Sequence, residues 1–289
     1  MRGKCNVDYA VALVYINTKE MNIVVPIDFS DHSKEAALYA AELVKTQGGN
    51  LHLVHVLVPM EEEPDYMPVR TIQAKYNTVS EISLLQEAIR RKTDVRTSCD
   101  LLPGDIAHQI IRAAKRVKAD LIVMGTQGNT GLRKHLYGSH TAEVMQLSSV
   151  PVLTLPEGST FKSFARVVYA TDYNYSNIQD IRGIAAFASK FNAVITLIHV
   201  NKKRSAAWMQ GSLREDFEEL IRSEVDYPHI SFEEYDNTDT ADGLRLLLQE
   251  RYADLLIVPN RRKSLVERIT GRGANEDFVF DLDIPLLVF

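Results

Sequence analysis

The chain has few of the residues that build disulfide frameworks and metal centres. Cysteine occurs only twice in 289 residues, as Cys5 and Cys99, and neither lies in a Cys-x-x-Cys or Cys/His pattern. Disulfide-rich secreted domains and zinc sites both require closely spaced ligands. The sequence therefore predicts no disulfide framework and no metal site, and it fits the reducing cytoplasm.

An excess of positive charge and a long apolar run are also missing. The formal net charge is −5 and the pI is about 5.9, whereas a general nucleic-acid binder needs a basic face. No run reaches the roughly 20 apolar residues that a membrane span requires. We therefore expect neither nucleic acid nor a membrane as a partner, and a cytoplasmic location.

The first 20 residues differ in character from the rest. A basic start followed by the apolar run Tyr9 to Tyr15 faintly resembles a signal peptide, but no small-residue cleavage site follows it. We interpret residues 1–20 as an extension, or as the result of a start codon placed too early, and expect the folded part to begin at Met21.

Internal repetition is what the sequence has in abundance. An apolar run that ends in aspartate occurs twice, and each copy is followed by a run that ends in His-Val and by two further matching runs. Such self-similarity indicates a tandem duplication, and the length suits two domains. We expect domains over residues 21–157 and 163–289, joined by a polar, turn-rich linker in the stretch Pro156 to Lys162. The matching pairs are 23–28 with 167–172, 51–56 with 194–200, 119–123 with 253–258, and 150–155 with 284–289.

Between these runs the apolar residues recur with a helical period. Ala36 and Ala40 mark one helix, which Ser30 would cap, and Ile106 and Ile110 mark another. Strands that alternate with helices predict a parallel sheet with helices on both faces. The expected fold class is α/β, with two tandem five-stranded parallel-sheet sandwiches.

A glycine-rich loop follows one of the apolar runs. Asp120 to Met124 predicts a central strand, Gly125, Gly128 and Gly138 come after it, and Ser139 opens a helix. Ligands of open α/β sheets bind at the carboxyl ends of strands. Glycines and a helix amino terminus also present backbone N–H groups to an anion. The loop therefore predicts a nucleotide phosphate site, with tight turns in a long loop as the alternative.

The spacing of the loop, together with the repeated runs, resembles the universal stress protein family. It matches neither a P-loop nor a GxGxxG loop. The nucleotide signature of the family is glycine, two residues, glycine, nine residues, glycine, then serine or threonine. Gly125, Gly128, Gly138 and Ser139 match it in full. The resemblance covers both halves from about Met21 to Phe289 and implies the adenine-nucleotide α-hydrolase-like, Rossmann-like fold.

The resemblance to the ATP-binding branch also implies roles for single residues. Pro26 and Asp28 would lie beside the adenosine, with Asp28 toward the ribose hydroxyls, although Asp28 could instead serve only the start of a helix. Val56 would meet adenine through its backbone, and Met124 would line the base pocket. His140 could contact phosphate or lie on the helix surface. The residues expected to bind ATP, with or without Mg²⁺, are Pro26, Asp28, Val56, Met124, Gly125, Gly128, Gly138, Ser139 and His140.

The second half departs from the signature. Pro259 stands at the position of Gly125 and Arg262 at that of Gly128, and Arg272 replaces the serine after the last glycine. Proline has no N–H to donate. We therefore expect one nucleotide per chain, bound in the N-terminal domain, and a structural role for the C-terminal domain.

The last apolar run of each half, 150–155 and 284–289, would form an edge strand, and edge strands seek partners. The resemblance implies that these strands pair between the two domains, as an intramolecular pseudo-dimer. Further homodimerisation remains open.

The leading functional hypothesis is an ATP-binding protein with a regulatory or signalling role in the stress response. No catalytic residue is assigned, because phosphoryl transfer needs metal-binding carboxylates and a positioned nucleophile, and only Asp28 is evident. The alternatives are a ligand-free interaction scaffold, or a protein that slowly hydrolyses ATP or phosphorylates itself at a nearby hydroxyl such as Ser139 or Thr141. An adenylating enzyme is disfavoured because SGGxDS, HIGH and KMSKS motifs are missing.

Overall fold

The computed structural model describes residues 20–57, 67–126, 138–174, 177–201, 207–237, 240–250, 253–260 and 283–289. These residues belong to two compact units, Met21–Phe161 and Lys162–Phe289. The boundary between the units falls within the stretch Pro156 to Lys162, which the sequence predicts as a linker. Residues 1–19, interpreted above as an extension, lie outside the described part. None of the described helices is both long and apolar enough to cross a membrane.

The first unit is a parallel sheet with helices between successive strands. Its strand order is β3-β2-β1-β4-β5, so β1 lies at the centre, with β2 on one side and β4 on the other. Successive strands are added first on one side of β1 and then on the other. The carboxyl ends of β1 and β4 therefore form a topological switch point, where open α/β sheets bind their ligands. The elements are β1 (Met21–Pro26), α1 (Asp31–Gln47), β2 (Gly49–Leu57), α2 (Met67–Thr93), β3 (Thr97–Pro103), α3 (Ile106–Arg116), β4 (Leu121–Gly125), α4 (Ser139–Leu147) and β5 (Val152–Leu155).

The second unit repeats the design. Its strands are again parallel, and their order, β10-β9-β6-β7-β8, corresponds strand by strand to that of the first unit. The predicted α/β class with parallel sheets is thereby confirmed. The elements are β6 (Arg166–Thr171), α5 (Ile178–Ser189), β7 (Val194–Asn201), α6 (Ala207–Glu224), β8 (Ile230–Asp236), α7 (Thr240–Glu250), β9 (Leu255–Val258) and β10 (Leu286–Val288).

The core of the first unit lies on both faces of its central strands. Ile23, Val24 and Val25 of β1 and Ile122 and Val123 of β4 are all fully buried. Continuous apolar strands are typical of parallel sheets that helices cover on both faces. The core therefore holds β1 and β4 rigidly side by side, and the chain segments that leave their carboxyl ends begin from fixed positions.

Candidate functional site

A cavity of about 300 Å³ opens at the carboxyl edge of the first unit's sheet. Its walls include Pro26 at the end of β1, Val56 near the end of β2, and Met124 and Gly125 at the end of β4. These three strand ends meet at the switch point of the sheet. The cavity thus lies where the topology alone would place a ligand.

The residues predicted from the sequence come together around this cavity. Gly128 lies outside the described residues, and the other eight all line the cavity. They are Pro26, Asp28, Val56, Met124, Gly125, Gly138, Ser139 and His140.

Asp28 has two roles in the turn between β1 and α1. Its Oδ1 accepts hydrogen bonds from the backbone N–H of Ser30 at 3.0 Å and from the Ser30 hydroxyl at 2.5 Å. Ser30 is the N-cap of α1, and its Oγ accepts from the N–H of Ser33 at 3.2 Å. Phe29, between them, has a φ of 65°, which makes the turn sharp. Asp28 therefore supports the helix start, as one interpretation expected, and it also lines the cavity.

Val56 presents its backbone to the cavity because β1 stops short of it. The β1–β2 register ends at Pro26 with Val54, and the N–H of Ile27 donates to the carbonyl of Val54 at 2.8 Å. Backbone groups of alternate residues point to the same side of a strand. The N–H and C=O of Val56 therefore point toward the side of β1, beyond the last paired residue.

His55, next to Val56, is occupied by local packing. Its Nδ1 lies 2.6 Å from the carbonyl oxygen of Ile27, and its ring lies 4.8 Å from that of Phe29. His199 repeats this arrangement in the second unit, 3.0 Å from the carbonyl oxygen of Thr171 and 4.4 Å from the ring of Tyr173. In each unit, the histidine of the His-Val pair thus holds the turn after the first strand in place.

The two ends of the glycine loop are held together beneath the cavity. The N–H of Gly138 donates to the carbonyl of Thr126 at 2.7 Å, and the Thr141 hydroxyl donates to the carbonyl of Gly125 at 3.1 Å. A Cβ on Gly125 would lie 3.1 Å from Cβ of His32. The glycine therefore allows α1 to approach closely.

The backbone N–H of Gly138, one of the expected phosphate donors, already has a partner within the loop. A single N–H forms one good hydrogen bond, and the N–H of Gly138 already forms its bond with Thr126. Gly138 therefore closes the loop, and any phosphate donors at this end come from the helix that follows it.

The amino terminus of α4 forms the remaining wall. Gly138 caps this helix without a side-chain bond, and Ser139, His140 and Thr141 line the cavity. The first N–H groups of an α-helix have no partner within the helix, and they carry partial positive charge. This end of the cavity is therefore suited to an anion.

His140 is exposed and has a small electrostatic effect on Asp105. The pKa of Asp105 is lowered mainly by hydrogen bonds from His108, and His140 adds a minor contribution.

Comparison with known proteins assigns the family. The model of the universal stress protein family matches residues 21–156. A universal stress protein of Methanocaldococcus jannaschii is 33% identical over 143 residues, which cover 46% of this chain and 80% of that protein. A universal stress protein of Thermus aquaticus is 34% identical over 133 residues, which cover 45% of this chain and 95% of that protein.

The chain belongs to the universal stress protein family. A solved universal stress protein structure from Archaeoglobus fulgidus covers 94% of the chain, and the chain covers 97% of that structure, with a TM-score of 0.68 and 18% identity. At that identity the likeness establishes the fold. The recognition made from the glycine loop and the repeated runs is thus confirmed.

In the second unit of this universal stress protein, the described residues at the corresponding positions are closely packed. Val200, the counterpart of Val56, is buried. A Cβ on Gly243 of α7 would lie only 2.7 Å from Cγ1 of Val200, which shows how closely this helix packs on β7. Pro259, at the position of Gly125, is buried as well. Arg262 and Arg272 lie outside the described residues.

Sequence reasoning missed part of the wall of the cavity. Ile106 and Ile110 of α3 line it, and Ile110 is 1% exposed. Their spacing did mark an apolar helix face, but spacing alone does not tell which part of that face covers the core and which borders a cavity. In the described part of the chain, no group of three or more His, Cys, Asp or Glu side chains is placed to hold a metal ion.

Proposed function

We propose that this universal stress protein binds ATP in its first unit and acts as a regulatory or signalling protein in the stress response. Family membership supports the general role. The observation that carries the ATP proposal is that one cavity at the switch point gathers eight of the nine residues predicted to bind the nucleotide.

The apolar end of the cavity suits the base and ribose. Ile110 and Met124 supply apolar surface, and the backbone of Val56 supplies one donor and one acceptor at the cavity wall. A purine needs apolar contact on its faces and hydrogen bonds at its edge. Asp28, in the turn after β1, offers carboxylate oxygens to ribose hydroxyls, since a carboxylate only accepts hydrogen bonds.

The polar end suits the phosphates. The amino terminus of α4 directs its first N–H groups and its partial positive charge to this wall. Gly125 and Gly138 bring backbone, without side chains, to the same place. Mg²⁺, where it accompanies ATP, would be held mainly by phosphate oxygens and water, as is usual for this ion.

The proposal places the nucleotide in the first unit alone. Val200 and Pro259, the counterparts of Val56 and Gly125, are buried, and α7 approaches Val200 closely at Gly243, which supports this assignment. We propose binding without efficient turnover. The Thr141 hydroxyl donates to the carbonyl of Gly125, and among the described residues Asp28 is the only carboxylate that lines the cavity.

The substitution Ser139→Asp separates loss of the site from loss of the fold. An acidic residue in the first turn of α4 interacts favourably with the helix dipole and stabilises the helix by about 0.3–1 kcal/mol, so we expect thermal stability to be kept. The same carboxylate repels phosphate by about 1–4 kcal/mol at close range. ATP affinity, measured by calorimetric titration, should therefore fall about fivefold or more.

Ser80→Asp is the matched control, because it adds the same charge on an exposed part of α2 that does not line the cavity. We expect its ATP affinity to equal that of the unchanged protein. Absence of ATP binding by the unchanged protein, with no adenine nucleotide released on denaturation, would favour the ligand-free scaffold. Equal affinity in Ser139→Asp would place the phosphates elsewhere.

A further inference from the structure

Three polar side chains of the first unit form a hydrogen-bonded chain that does not line the cavity. His52 of β2 lies opposite Ser98 of β3 in the register of the two strands, and Asp100 lies two residues further along β3 on the same face. His52 Nδ1 is 2.6 Å from Ser98 Oγ, and His52 Nε2 is 2.6 Å from Asp100 Oδ2. Arg116 of α3 forms an ion pair with Asp100.

The charges fix where the protons lie. Asp100, paired with Arg116, is a carboxylate and can only accept hydrogen bonds, so Nε2 of His52 carries the ring proton. Nδ1 then has a lone pair and accepts the hydroxyl proton of Ser98. In an activated serine nucleophile, the hydroxyl is hydrogen-bonded to an imidazole, and a carboxylate orients that imidazole. Ser98, His52 and Asp100 have this arrangement.

The imidazole is in its basic form at neutral pH. Burial, followed by the charge of Arg116, lowers the pKa of His52 below its ordinary value of 6.5. Its side chain is 14% exposed, whereas Ser98 is exposed at the surface. The imidazole of His52 is thus shielded from solvent, whereas the Ser98 hydroxyl to which it is hydrogen-bonded is accessible to a reagent.

The position of Ser98 on an edge strand adds a hydrogen-bond donor. β3 is the outer strand of the first unit's sheet, and the Gln86 amide donates to the carbonyl of Thr97 at 2.9 Å. The backbone of Thr97 therefore points to the open side of β3, and by strand alternation the N–H of Cys99 does the same. The N–H that follows a nucleophilic serine is a common oxyanion donor.

The second unit offers a comparison within the same chain. Thr196 and Ser231 occupy the corresponding register positions of β7 and β8, and the Ser231 hydroxyl donates to the Thr196 hydroxyl at 3.1 Å. A hydroxyl is not a general base at neutral pH. Ser231 is thus a serine in a similar setting, with threonine in place of the imidazole.

We propose that Ser98 is a nucleophile that accepts acyl groups from small activated esters or thioesters, with His52 as its general base and Asp100 as the positioning residue. Ser98 Oγ forms a bond to the carbonyl carbon as its proton passes to His52 Nδ1. The bond to the leaving group breaks, and the leaving group departs with the electron pair and takes the proton from His52. Water, activated by the same base, then hydrolyses the acyl-serine.

The test uses p-nitrophenyl acetate as the acyl donor and the full chain. We expect p-nitrophenolate release above the spontaneous rate, and the mass of one acetyl group on the peptide that contains Ser98. Ser98→Ala should abolish both signals, and His52→Gln should slow release about 100-fold, the lower end of a general base's contribution. Because burial raises the pKa of Cys99 to about 11, its thiol should not compete.

Ser231→Ala is the control and should leave the rate unchanged. The rate should also follow the neutral form of His52, with a midpoint below pH 6.5 and a plateau above it. A purely structural hydrogen bond would give neither acetyl-Ser98 nor this profile. Absence of acetyl-Ser98, a rate kept in Ser98→Ala, or a rate kept in a His52→Gln protein of unchanged thermal stability would each overturn the proposal.

Discussion

At the scale of single residues, Asp28 connects the fold with the proposed ligand. The same oxygen, Oδ1, holds the N–H and the hydroxyl of Ser30, so the carboxylate is oriented before any ligand arrives. Preorganised polar groups lose little conformational entropy on binding. The counterpart in the second unit, Asp172, likewise accepts a bond from the backbone N–H two residues on, that of Asn174 at 3.3 Å, and it accepts a second bond from the side-chain amide of Asn177 at 2.9 Å.

Asp28→Asn should reduce the discrimination between ATP and 2′-deoxy-ATP. The amide oxygen still accepts from Ser30, so the turn is kept, but the hydrogen bond from the ribose hydroxyl loses its charged acceptor. Hydrogen bonds to charged groups contribute about 1.5–3 kcal/mol. A neutral acceptor contributes only about 0.5–1.5 kcal/mol, so the ratio of the two affinities, measured by titration, should fall about five- to tenfold.

Asp172→Asn provides the control for that substitution and should leave the affinity ratio unchanged. If Asp28→Asn kept the full preference for the 2′-hydroxyl, Asp28 would serve only the start of α1.

The site residues divide into those that the sequence predicts and those that need three dimensions. The positions of Asp28, just after β1, and Gly125, at the end of β4, could be predicted because an apolar run shows where a strand stops, whereas the role of Asp28 is implied by the family resemblance. Ile110 could not, since its role depends on how α3 lies across the sheet. The hydrogen bond from the N–H of Gly138 to the carbonyl of Thr126 could not be predicted either, because it joins the two ends of a loop whose path the glycine spacing does not specify.

At the scale of elements, a pair of glycines sets the register that exposes Val56. Gly48 ends α1 and donates to the carbonyl of Val44 at 2.7 Å. Gly49 begins β2 opposite Met21, so that the pairing with β1 runs out at Val54. Helices and strands could be predicted from periodicity, but this register could not, because it depends on the close approach of Gly49 to the backbone of Met21.

Gly49→Ala should destabilise the protein more than Gly48→Ala. Both glycines have positive φ, 73° and 135°, so each substitution strains the backbone by about 1–3 kcal/mol. Only Gly49 is also crowded, since a Cβ there would lie 2.1 Å from the carbonyl oxygen of Met21, whereas nothing lies within 4 Å at Gly48. Overpacking adds about 1–3 kcal/mol.

Urea unfolding of the two variants would measure the difference. We also expect Gly49→Ala to weaken ATP binding, because β1 must move relative to β2 and thus relative to Val56. Equal unfolding free energies for the two variants would show that the contact with Met21 yields easily and does not fix the register.

At the scale of the whole molecule, the two units share the same strand order but differ in how the residues at the switch point of the sheet are packed. In the first unit, Val56 and Gly125 border a cavity. In the second, α7 packs on Val200 through Gly243, and Pro259 is buried. Close packing stabilises a unit by burial of apolar surface, whereas an open cavity forgoes those contacts. The open space at the switch point of the first unit is therefore consistent with a ligand there.

Calorimetric titration should give one ATP per chain, and Pro259→Gly should leave that number unchanged. The glycine would remove the proline ring and restore an N–H, yet Val200 would remain covered by α7, so the space for a base would still be filled. Ser139→Asp should weaken this single site. Two equal sites in the unchanged chain, or a second site created by Pro259→Gly, would show that the packing of α7 opens readily and that both units bind the nucleotide.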